Sequence, residues 1–164
     1  KPPFRLADGQ SLTGLQEALE TLCQHLSPVP TEGLNLTQLG RFLALTVQNP
    51  PPTLLALAGT AVKDLDPFRA PATAGELARR RQSNLSARQD ALLVDWGYPY
   101  VLDEFRFHIT LTGKLSTDTA SAVQSALQPA LSALKKPFCL EALSLVGEDD
   151  NGRFHEISRF GLSG

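Results

Sequence analysis

The stretch Glu104-Phe105-Arg106-Phe107-His108-Ile109-Thr110-Leu111-Thr112 decides how the rest of the chain is read. Phe105, Phe107, Ile109 and Leu111 occupy one parity; Glu104, Arg106, His108, Thr110 and Thr112 occupy the other. Side chains of a strand alternate between faces. The spacing therefore predicts a strand over 104–112 with one apolar face packed on helices and one polar face open to a cleft. A guanidinium, an imidazole and hydroxyls in one row suit a phosphate group: Arg neutralises charge, Thr donates a hydrogen bond and His moves a proton. An amphipathic strand with its polar side in water shows the same alternation without any function.

Around this stretch the chain alternates between helical and strand periods. Phe4 and Leu6 read as the end of a strand, closed by the turn pair Asp8-Gly9. Ser11 is placed to cap a helix whose stripe is Leu12, Leu15, Leu19, Leu22 and Leu26. Ser27-Pro28-Val29-Pro30 stops it. Leu34 and Leu36 start a hairpin that turns at Leu39-Gly40 and returns through 42–47. Asn49-Pro50-Pro51-Pro52 breaks it, because proline supplies no amide to a ladder. Another helix follows from Thr53, with Leu54, Leu57, Ala58, Ala61, Val62 and Leu65 inward. Thr73-Ala74-Gly75-Glu76 and Ser86-Ala87-Arg88-Gln89 carry the capping-box spacing, predicting short helices over 73–82 and 86–96. Beyond the central strand, 116–135 reads as a helix with Val123, Leu127, Leu131 and Leu134 inward, kinked or split by Pro129. Two last strands, 138–146 and 153–162, flank the hairpin turn Asn151-Gly152. Strand, helix and hairpin thus occur in that order twice, once in the first third and once from residue 104.

The bulk numbers exclude several classes. Hydrophobic residues make up 42% and charged residues 20% of the 164 positions, enough to bury a core. A net charge of −2 gives no overall attraction to nucleic acid or an anionic membrane. No apolar run reaches the ~20 residues of a membrane span, and no secretory signal is visible, so the cytoplasm is the default. Cys23 and Cys139 match no metal or redox spacing and are expected to be buried and reduced. His25, His108 and His155 show no metal-ligand spacing, and no metal or other cofactor is called for. His25 reads as a solvent residue at a helix end, and His155 as a strand residue beside Phe154.

Phe-His-Ile-Thr-Leu-Thr-Gly at 107–113 resembles the His-x-Thr-x motif of the 2H phosphoesterase superfamily. Its surroundings are similar to one branch, the uncharacterised proteins encoded with bacterial phosphonate-utilisation genes. The similar stretches are 66–71, 76–81, 96–101, 104–108, 146–149 and 152–154. The resemblance implies an α+β fold of two lobes, antiparallel sheets flanking a cleft with helices outside. Residues 1–65 would belong to the first lobe, 66–97 to a helical insert and 98–164 to the second lobe. It further implies a second His-x-Thr directly before Lys1-Pro2-Pro3-Phe4-Arg5-Leu6. The chain has no methionine, and its first residues read like the middle of an element, so an upstream segment carrying the first strand is expected.

The activity implied by the resemblance is metal-independent hydrolysis of a linear or cyclic phosphodiester, in which two imidazoles of opposite protonation act near neutral pH. His108 would take one proton-transfer role and Thr110 would hold a phosphate oxygen. Arg106, Arg69, Tyr98, Tyr100 and Lys1 are candidate substrate contacts. Arg79, Arg80 and Arg81, with Arg69 and the two tyrosines, form a basic cluster of which one or two members should border the cleft and hold an anion. With half the site upstream, the chain itself is expected to be inactive, and the uncovered sheet edge or core leaves it open to association with itself or with another chain. The expected partner is a small phosphate ester or nucleotide-like ligand. The competing classes are a phosphate- or nucleotide-binding module without chemistry and a plain interaction module.

Overall fold

In the computed structural model, which describes residues 4–134 and 137–164, the Ser11 hydroxyl accepts the Gly14 amide at 3.0 Å and starts helix α1, Leu12–Gln24. Leu15, Leu19, Leu22 and Cys23 form its buried face, whereas Leu12, in the unsupported first turn, stays exposed. The helix stop at 27–30 also contains a strand absent from the sequence reading: β1, Val29–Thr31. Pro30 is tolerated there because β1 pairs along one side only, with β5, Phe138–Leu140.

The first hairpin forms as its alternation predicts. β2, Leu34–Leu39, and β3, Phe42–Val47, pair antiparallel from Leu34↔Val47 to Leu39↔Phe42. The two-residue loop between them needs a positive φ, and Gly40 supplies +59°. Helix α2, Pro52–Asp64, follows the proline run and buries Leu54, Leu57 and Val62. Helices α3, Ala74–Arg81, and α4, Ala87–Trp96, both carry complete capping boxes, Thr73 with Glu76 and Ser86 with Gln89. Each box satisfies two orphan amides of a first turn.

Four expectations are corrected. The strand over 104–112 shrinks to β4, His108–Thr110; residues 102–104 form a 3-10 turn instead. β4 is an edge of the sheet β2-β3-β4 rather than a central strand. The strand over 138–146 is two strands broken at Glu141, because β5 goes to β1 while β6, Ala142–Glu148, pairs with β7, Phe154–Gly161. Helix α5, Thr117–Leu131, ends two residues past Pro129 without reaching Lys135, which lies outside the described residues. Of its expected inner residues, Val123, Leu127 and Leu131 are half-buried, Leu134 is exposed, and Ala120 is the buried contact.

The result is an α+β chain in which every pairing among the described strands is antiparallel. It divides into two compact units. One contains the segment up to Pro28, Thr53–Arg106 and Glu141–Gly164; the other contains Val29–Pro52 and Phe107–Leu140. The repeated order of helix and hairpin is therefore interleaved: α1 packs on β6 and β7, and α5 packs on β2 and β3. In the first unit Val62, Leu92 and Val101 form a buried cluster with Trp96, Tyr98 and Leu102 against it. In the second, Leu43 and Ala44 are wholly buried. Cys23 is buried, and burial pushes its thiol pKa up, whereas Cys139 is half-buried rather than buried; both are free thiols. No helix among the described residues is long and apolar enough to cross a membrane.

Candidate functional site

β4 stands against β3 with His108 opposite Thr46 and Thr110 opposite Ala44. Two-residue alternation puts His108 and Thr110 on one face, and both are exposed. The Phe42 ring lies 6.0 Å from the His108 ring, tilted by 46°. Thr112, read as part of the polar row, serves the sheet instead. Its hydroxyl accepts the Leu43 amide at 3.0 Å and donates to the Gly113 carbonyl at 2.9 Å. The expected apolar face does not bury as a whole: Phe105 and Phe107 are half-buried, whereas Ile109 and Leu111 are exposed, since β4 is a short edge. Arg106 is exposed and precedes the strand. Lys1 lies outside the described residues.

In the other unit a backbone arrangement gathers the basic residues. Leu6 bridges Arg69, with the Ala7 amide donating to Phe68 at 3.0 Å and the Ala70 amide donating to Arg5 at 2.8 Å. This draws Arg5 beside the start of α3. Two adjoining concavities result. The larger, about 530 Å³, is lined by Asp66, Pro67, Arg69, Pro71, Ala72, Leu77 and Val94. The smaller, about 60 Å³, shares Arg69 and Ala72 with it and adds Arg5, Glu76, Arg79 and Arg80. Neither is lined by His108 or Thr110.

The arginines of this region divide by partner. Arg69 grips Asp66 through both carboxylate oxygens, at 2.8 and 3.2 Å, and donates to the carbonyls of Asp95 and Ala70. It packs so closely under Gly97 that a Cβ there would come within 3.0 Å of its side chain. Its geometry is that of a brace between chain segments. Arg81 pairs with Asp90 at 2.6 Å, joining α3 to α4, and Arg88 pairs with Asp103 at 2.6 Å. Glu76 accepts from the Thr73 amide at 2.6 Å, the Thr73 hydroxyl at 3.0 Å and Arg5 at 3.4 Å. These donors, the Thr73 amide foremost, lower its pKa to about 2. Arg80 lies over the Tyr98 ring, 5.1 Å from its centre, and Tyr98 meets Tyr100 edge-on at 5.5 Å. Tyr98 is half-buried, and burial pushes its phenol pKa up; Tyr100 is exposed. Arg5 and Glu76 were absent from the candidate contacts, and the one sequence signal near them was the capping box at Thr73.

A family described as "Protein of unknown function (DUF1045)" matches residues 1–155. The chain belongs to the DUF1045 family. Two relatives of this DUF1045 chain are both named ribose 1,5-bisphosphate phosphokinase PhnN. That of Janthinobacterium sp. (strain Marseille) is 35% identical over 100% of the chain and 38% of its own length. That of Laribacter hongkongensis (strain HLHK9) is 33% identical over 97% of the chain and 37% of its own length. The chain thus spans well under half of either relative.

These names correct the expected activity. The resemblance to 2H phosphoesterases implies phosphodiester hydrolysis, but the relatives that match the DUF1045 chain along almost its whole length carry the name of a phosphokinase. They give no support to reading 108–110 as a hydrolytic motif. His25 is exposed with Nδ1 2.7 Å from the Thr21 carbonyl, and His155 is exposed at a hairpin tip, 2.9 Å from Asp149. Among the described residues no three His, Cys, Asp or Glu side chains are gathered as a metal site.

Proposed function

We propose that the chain is a sugar-phosphate-handling part of a protein of the ribose 1,5-bisphosphate phosphokinase type, distinct from the part that transfers the phosphoryl group. The observation that carries this reading is the match of nearly the whole chain to two proteins of that name, each of which extends far beyond the matched region. The sequence supports the division of labour. Its one Gly-Lys pair, Gly113-Lys114, is followed by Leu115 and has His108 where a phosphate-cradling Gly-x-x-x-x-Gly-Lys-Ser/Thr loop needs its first glycine. On this reading the 2H-like features belong to the architecture: a duplicated helix-and-hairpin plan, with His108 and Thr110 on a strand as hydrogen-bonding contacts to a phosphate.

The test uses the Janthinobacterium relative. Its KM for ribose 1,5-bisphosphate should rise at least tenfold when the counterparts of His108 and Thr110 are both changed to alanine, with kcat reduced much less. An unchanged KM and kcat in a folded double variant would remove these residues from sugar-phosphate handling. Binding of ribose 1,5-bisphosphate by the 164-residue chain, followed by calorimetry, should accompany it; absence of binding at millimolar ligand would reject the reading as a whole.

A further inference from the structure

We infer that the small concavity between α3 and residues 4–5 is a phosphate-monoester site, with Arg79 and Arg80 supplying its charge. The argument begins with charges that are left over. Four arginines line this concavity, and one carboxylate, Glu76. Arg69 is neutralised by Asp66, and Arg5 shares Glu76. Arg79 and Arg80 have no carboxylate within 4.0 Å among the described residues.

The leftover charge is not a product of poor sequence spacing. Glu76 stands four residues before Arg80, the orientation that favours a helical ion pair. Its Oε2 is instead turned to the Thr73 cap and Arg5, and no ion pair to Arg80 forms. Arg81, the third of the run, turns to the other side of the helix and takes Asp90. The end of α3 favours cations through its dipole. That preference accounts for arginines in the last turn, but not for their convergence with Arg5 and Arg69 from other segments on one recess.

The geometry of Arg80 adds a second argument. A guanidinium over an aromatic ring is drawn to the ring face and can keep N–H groups available to a further acceptor. Arg80 is braced in this way on Tyr98. Such a prepared fork matches the oxygens of a phosphate, with which arginine forms paired, charge-assisted hydrogen bonds. The 60 Å³ recess is several times the ~10–15 Å³ of such space that a single water needs, so it is open to a small polar group. Beside it the 530 Å³ concavity, walled by Pro67, Pro71, Ala72, Leu77 and Val94, has room for the body of the molecule esterified to that phosphate. The choice of a pentose as that body rests on the function proposed above; the phosphate site stands on the arginines.

The experiment is an amide-resonance titration of the 164-residue chain at fixed ionic strength with ribose, inorganic phosphate, ribose 5-phosphate and ribose 1,5-bisphosphate. It is repeated on four variants: Arg79→Ala with Arg80→Ala, Tyr98→Leu, Arg81→Ala, and Arg79→Lys with Arg80→Lys. The phosphates should shift amides of 76–80 and 97–98, and ribose should not. The double variant should lose at least tenfold in affinity, Tyr98→Leu should lose several-fold, and Arg81→Ala should keep wild-type affinity. Replacing both arginines by lysine, which keeps charge but not the fork, should fall between. Unchanged ribose 1,5-bisphosphate binding in a well-dispersed double variant would overturn this site while leaving the proposed function standing. Equal weakening by Arg81→Ala would also overturn it, as it would reveal a diffuse charge effect. Inorganic phosphate binding at these amides as tightly as either ribose ester would uphold the phosphate site and reject ribose as its ligand.

Discussion

β3 and β7 are the second strands of two hairpins, and they end in opposite surroundings. β3 lies between β2 and β4, and Leu43, Ala44, Leu45 and Val47 are buried on both parities. β7 pairs with β6 alone among the described strands, and Phe154 and Ile157 stay exposed. The sequences differ accordingly: Phe-Leu-Ala-Leu-Thr-Val is apolar at every position but Thr46, whereas Phe-His-Glu-Ile-Ser-Arg-Phe-Gly mixes apolar and charged residues. A continuous run belongs to a strand covered on both faces, and a mixed one to a strand with a side in water. Both turns hold a glycine at positive φ, although the first loop has two residues and the second five; the strand surroundings should still make the larger difference to stability.

The largest effect expected from this contrast is at Leu43. Leu43→Ala should cost about 2–5 kcal/mol in urea denaturation, as for a fully enclosed leucine. A loss under about 1 kcal/mol would mean that the β2-β3-β4 sheet is not the tightly packed one. The turns sharpen the comparison. Gly40 and Gly152 have φ of +59° and +74°, with no crowding atom closer than 3.7 Å. Alanine at either should cost about 1–2 kcal/mol through left-handed backbone strain. A cost at Gly40 with none at Gly152 would show that the second hairpin opens before global unfolding. Smaller again is Phe154→Ser, expected within about 0.5 kcal/mol of wild type; a loss several times larger would mean that β7 is covered in solution, which breaks the contrast.

Acid gives the mildest test. The Arg153 amide, then His155 and the Asn151 amide, hold the Asp149 carboxylate below its ordinary value of 3.8. A depressed folded pKa stabilises above the unfolded value and is lost as pH falls through the folded one. The tip of the second hairpin should therefore keep its Asn151 and Arg153 amide shifts down to pH 3.8 and lose them below it. Glu76 should titrate lower still, near 2. An Asp149 midpoint at or above 3.8 in a proton-resolved titration would contradict the turn geometry.

What the sequence showed clearly was local. Ser11, Thr73 and Ser86 cap helices within three residues of themselves, and Leu39-Gly40 closes the first hairpin at once. Where it failed, the cause lay far along the chain. Arg88 seizes Asp103 and Gln89 seizes Glu104, fifteen residues away in both cases, and these bonds accompany a 3-10 turn where alternation suggested strand. Leu102 there adopts φ +53°, which no apolar period announces. Phe138–Leu140 leaves for β1, a partner hidden in a proline-flanked segment. The basic cluster was visible as Arg79-Arg80-Arg81, but which of the three keeps a partner depends on Asp90 and Arg5, from outside α3. Of the expected contacts, Arg69 proves committed to Asp66 and Tyr98 supports Arg80.

The interleaving of helices and hairpins has a consequence for synthesis. Gln16 on α1 hydrogen-bonds Ser158 on β7, 142 residues later. At about 5–20 residues per second, a ribosome needs roughly 7–30 s to deliver that partner after α1 has emerged. During that interval Leu15, Leu19 and Leu22 lack the hairpin they pack against. The unit built from Val29–Pro52 and Phe107–Leu140 has all its strands translated earlier, so the nascent chain is expected to complete its middle before its beginning.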